Sequence, residues 1–113
     1  MTVSREVAER LKKAGVEFEG VEMGYALLHG RVVVVYANMN MSKKELLAPA
    51  PMLHDLLMTE EAKELEIGLD VLVSGWFRVE DADSGNIEHL ENFQQALDHI
   101  GNLIAEQKER KGK

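Results

Sequence analysis

"VEMGYALLHGRVVVVYA", residues 21–37, decides the fold class. Val21, Met23, Tyr25 and Leu27 alternate with Glu22, Gly24, Ala26 and Leu28, the period-two pattern of a strand. His29-Gly30 follows where a two-residue hairpin turn is needed. Glycine suits the left-handed backbone there, and histidine tolerates it better than most residues. Arg31 to Ala37 is a β-branched run, apolar on both faces. Such a strand is either covered on both sides or lies in a subunit contact.

Upstream, Val3, Val7, Leu11 and Ala14 share one helical stripe, with Ser4 placed to cap it and Gly15 just past its end. Val16 and Phe18 then alternate with Glu17 and Glu19 until Gly20 interrupts.

Downstream, residues 38–58 read "NMNMSKKELLAPAPMLHDLLM". Ser42 and Glu45 have capping-box spacing, flanked by Met41 and Leu46 at staple positions, so a helix is expected from Lys43. Pro49 must disturb it within two turns, because proline lacks the amide donor and clashes with the preceding turn. Pro51 can open a second short helix carrying Met52, Leu53, Leu56 and Leu57. Thr59 and two glutamates start a further helix, ended by Gly68. Leu69 to Val79 is strand-like, with Leu69, Val71, Val73, Phe77 and Val79 on one face and Leu72 and Trp76 on the other. "DADSGN" is a turn. Ile87 to Leu90 reads equally as a short strand or as the start of the last helix, whose stripe is Leu90, Phe93, Leu97, Ile100 and Ile104.

The expected order is α-β-β-α-α-β-(β)-α. It predicts a single α+β domain over residues 1–113, with an antiparallel sheet of 3–5 strands and helices packed on it. In element order alone it is loosely similar to profilin-like or Roadblock-type adaptor domains.

The chain of 113 residues is 45% hydrophobic and 29% charged, ordinary for a globular domain. It has no cysteine, so thiolate metal sites, thiol nucleophiles and disulfides are excluded. The N-terminus lacks an apolar signal core and "VVVVYA" is far too short to span a bilayer, so a cytoplasmic protein without membrane contact is expected. Residues 108–113, KERKGK, hold four basic groups and one acidic, and are expected to fray as a basic tail. The net charge of −7 therefore leaves −10 on the rest, a field that disfavours general nucleic-acid binding.

Catalytic constellations are hard to find. No serine stands beside a histidine, and neither GxSxG, GxGxxG nor GxxxxGK occurs. His29, His54, His89 and His99 lack the close helical spacing of a metal site. In "DADSGNIEHLEN", residues 81–92, glycine falls one place early for a calcium loop and Asn92 stands where a bidentate glutamate belongs. No metal or cofactor is expected.

Two candidate regions remain. The broken segment carrying Met39, Met41, Met52, Met58, Pro49 and Pro51 is a candidate partner surface, since methionine adapts to varied contacts; a kinked core helix is the alternative. Asn38, Asn40, His54 and Trp76 are a candidate ligand pocket. The leading expectation is a non-catalytic interaction or regulatory domain that binds itself or another protein. A small-molecule-binding protein or minor enzyme using that pocket comes second. An acidic mimic that occupies a nucleic-acid-binding partner comes third.

Overall fold

The computed structural model describes residues 1–18, 20–36 and 46–112. Helix α1 spans Arg5–Ala14 and strands β1 and β2 span Met23–Leu28 and Arg31–Tyr36. Strand β3 (Leu46–Pro49) is followed by α2 (Leu53–Leu57) and α3 (Glu60–Leu65). Strands β4 (Ile67–Val71), β5 (Phe77–Asp81) and β6 (Asn86–Leu90) lead into α4 (Phe93–Lys111). The class is α+β, with two antiparallel three-stranded sheets where one was expected. Sheet 1 has the order β2-β1-β3 and sheet 2 the order β4-β5-β6.

The hairpin forms as its sequence dictates. Leu28 pairs with Arg31 across His29 and Gly30, whose φ angles of 49° and 77° are the two left-handed residues of the favoured tight turn.

The helix expected from Lys43 is corrected at its described end: Leu46–Pro49 is a strand, antiparallel to β1. The capping residues Ser42 and Glu45 lie outside the described residues. A helix trapped between Lys43 and Pro49 has under two turns in which to recover its nucleation cost. Ala48 and Ala50 each precede a proline, which biases them toward extended backbone. Pro49 pairs with Gly24 at the end of the ladder. With β3 in that place, the element order behind the likeness to adaptor domains no longer holds.

Leu69–Val79 is two strands rather than one. Gly75 N donates to Leu72 O and Leu72 N to Trp76 O, closing a tight turn between β4 and β5. Ser74-Gly75 was the missed turn signal. Ile87–Leu90 belongs to β6, paired with β5 from Phe77↔Leu90 to Asp81↔Asn86. The intervening turn is held by the Asp81 carboxylate, which accepts from Asp83 N, Ser84 N and Ser84 Oγ. Helix α3 ends before Gly68, at Glu66 with φ 52°.

Helix α4 is the hub. Leu97, Ile100 and Ile104 are fully buried, and they meet Leu11 of α1, Leu56 of α2 and Val79 of β5 in one core. Each such side chain contributes ~2–3 kcal/mol by leaving water. Sheet 2 turns Leu69, Val79, Phe77 and Leu90 toward this core, where Phe77 meets Phe93 at a ring separation of 5.6 Å. Sheet 1 joins through the N-terminal segment. Tyr25 donates its hydroxyl to Val3 O, and Val3 N donates to Pro51 O at 3.0 Å.

The basic end, expected to fray, is helical through Lys111. Lys111 Nζ lies 2.8 Å from Glu64 Oε1 on α3. That contact holds the Glu64 carboxyl below the usual carboxylate range and raises the Lys111 ammonium. Arg10 likewise bridges α1 to α4 through Glu109 and Asn102, and its pKa is raised first by the Glu109 hydrogen bond.

Candidate interaction surface

Of the residues singled out for contact or ligand binding, Asn38, Met39, Asn40 and Met41 lie outside the described residues. Met52 and Met58 stand exposed at the two ends of α2, at 36% and 55%. Pro51 is fully buried, with its carbonyl bonded to Val3, so it is a core residue rather than part of a surface. Pro49 is half-buried in β3. His54 is exposed on α2 and Trp76 is exposed at the β4–β5 turn. No hydrogen bond or ion pair joins them among the described residues, and they sit on elements held apart: α2 packs on α3 and α4, while Trp76 belongs to the tip of sheet 2.

A cleft that sequence reasoning missed, roughly 340 Å³, opens between the residues after α1, the α2–α3 corner and α4. Phe18 and Met58 form apolar walls, with Glu17, Asp55, Glu61 and Lys108 around them. Its polar groups have structural duties. Thr59 Oγ1 donates to Leu56 O and accepts from Ala62 N, capping α3. Asp55 accepts from Met52 N at the start of α2. Glu61 is buried with Lys111 Nζ at 4.0 Å. Neither a nucleophile held against a base nor a metal-holding group of three or more His, Asp or Glu is present among the described residues.

The apolar surface is more informative. Along the hairpin, Leu27, Val34 and Tyr36 are exposed at 46%, 44% and 58%. The register places Leu27 beside Val32, Tyr25 beside Val34 and Met23 beside Tyr36, so these side chains share one face. A second patch, Val71, Val73 and Trp76, caps the β4–β5 hairpin.

The strand edges differ in how they are protected. Edge strands offer unpaired amides and carbonyls, and proteins blunt them with charge, proline or a covering element. β3 ends in Pro49, lies against α1, and has its Leu47 carbonyl taken by Lys12 Nζ at 2.8 Å. β4 carries Asp70, and β6 carries Glu88 and His89. β2 is also an edge, yet its sequence RVVVVY has a single charge, at the turn end. Among the described residues this run is therefore an edge strand and not an inner one.

No family model matches the sequence, and no curated protein and no solved structure matches the chain.

Proposed function

We propose that this chain is a non-catalytic interaction module of the cytoplasm that associates with itself, using sheet 1. The observation that carries the reading is the position of β2. Five uncharged, strongly β-forming residues, Val32 to Tyr36, stand at an edge that no described strand covers. A monomer that kept this edge open would be prone to uncontrolled pairing. A defined partner strand removes that hazard and buries Val34 and Tyr36 at the same time. A cytoplasmic setting agrees with a cysteine-free chain of 113 residues. Among the described residues no helix is long and apolar enough to cross a membrane.

The test is the mass of the native protein in solution, by light scattering on a sizing column or by native mass spectrometry. Self-association predicts a multiple of the 12.7 kDa chain. A single-chain mass at tens of micromolar contradicts it, and an added small mass would point to a ligand instead.

A further inference from the structure

Building on self-association through sheet 1, we infer that the contact is an antiparallel pairing of β2 with β2 of a second copy, with the two-fold axis at Val34. The hairpin fixes which backbone groups are available. In a two-residue turn the flanking pair, Leu28 and Arg31, exchanges hydrogen bonds, and such pairs alternate along the ladder. Arg31, Val33 and Val35 therefore bond to β1, while Val32, Val34 and Tyr36 point their amides and carbonyls away from it. The other side of β1 agrees. Met23 pairs with Tyr36 without exchanging bonds, and its carbonyl instead accepts from Ala50 N beside β3 at 2.9 Å.

An antiparallel partner must satisfy those three outward residues in register. With Val34 opposite Val34 of the second copy, Val32 falls opposite Tyr36, and all three residues become bonded pairs. Side chains agree with this register. Val32 against Tyr36 is an aromatic and β-branched pair on one face, and Val33 against Val35 is a β-branched pair on the other. The two Arg31 side chains lie six residues apart along the ladder, about 20 Å, so like charges do not meet. The net charge of −7 on each copy opposes the contact, and residues 32–36 limit that cost because the strip they form is free of acid. The joined sheet reads β3-β1-β2-β2-β1-β3, with Leu27, Val32, Val34 and Tyr36 continuing as one apolar band across the axis.

The chain has no cysteine, so single cysteines report this register without background. Val34→Cys places two sulfurs on directly opposed residues whose Cα atoms lie about 5.5 Å apart, within disulfide range. In Val32→Cys the two thiols lie four residues apart along the strands, about 14 Å, and cannot bridge. Under mild oxidation of the full chain, Val34→Cys is expected to give roughly tenfold more covalent dimer than Val32→Cys. Val34→Lys sets two ammonium groups face to face at an already exposed position, and is expected to give monomers with unchanged circular dichroism. An oligomer that links both cysteines equally or neither, or that survives Val34→Lys, overturns the β2 pairing and leaves self-association standing. A wild-type chain that is monomeric overturns both.

Discussion

Gly101→Ala tests the packing that holds the two ends of the chain together. Gly101 lies inside α4, where alanine should be the better helix former by ~1 kcal/mol. A Cβ built there would sit 2.5 Å from Val7 Cγ1 on α1, with Val3 Cγ1 at 3.5 Å and Leu11 Cδ1 at 3.7 Å. Carbon atoms rest at about 3.5–4.0 Å, so α1 must retreat by roughly 1 Å or Val7 must leave its rotamer. Valine in a helix has essentially one good rotamer, which makes the second escape costly. Overpacking costs ~1–3 kcal/mol, and an approach of 2.5 Å to a stiff side chain belongs at the upper end, ~2–3 kcal/mol, above the propensity gain. The expected net effect is destabilisation by ~1–2 kcal/mol, a loss of roughly 4–8 °C in melting temperature. Urea unfolding at fixed protein concentration measures it, because self-association would otherwise shift the midpoint. Val7→Ala removes the clashing methyl, so the double variant Val7→Ala/Gly101→Ala should be more stable than the sum of the singles by ~1 kcal/mol or more. Gly101→Ala as stable as wild type, or singles that add within ~0.5 kcal/mol, would refute the close-approach argument.

Thr59→Ala removes both the cap of α3 and a buried hydroxyl bond to Leu56 O, and should cost ~1–2 kcal/mol in the same assay. Asp98→Ala frees Ser4 N, bonded at 2.7 Å, and Gln94; thermal unfolding should show a loss of ~1–2 kcal/mol, with faster hydrogen exchange in α1. Glu64 titrates below its ordinary value because Lys111 holds it. The pair's contribution is therefore present at neutral pH and fades as pH falls through the carboxylate range. NMR titration of Lys111→Ala should return Glu64 upward, and an unmoved Glu64 would discount the contact. Added salt should tighten self-association, because it screens two chains of charge −7. Weakening with salt would instead point to ion pairs between the copies, against a contact made by the uncharged residues of β2.

Much of the fold was legible in side-chain period. α1 appears where Val3, Val7 and Leu11 mark it, the hairpin turns at His29-Gly30, and Leu97, Ile100 and Ile104 of α4 fill the core. The errors arose where a local signal met a competing one. Ser42 and Glu45 have helix-start spacing, but Pro49 and Pro51 leave Leu46–Pro49 more stable extended. Leu69, Val71, Phe77 and Val79 do share a face, but across the Ser74-Gly75 turn instead of along one strand. The division into two sheets depends on long-range pairing, which no period encodes. Of the candidate site, the apolar run of β2 was visible, but its place at an edge was not. Met58 was singled out, yet the cleft it helps wall is built by Phe18 and Lys108 from distant parts of the chain.

Sedimentation equilibrium of the wild-type chain beside Val34→Lys decides whether β2 joins two copies. Pairing through β2 predicts twice the 12.7 kDa chain mass for wild type and the single-chain mass for the variant, with both folded. A wild-type protein that sediments as a single chain, or a variant that dimerises as tightly as wild type, would contradict it.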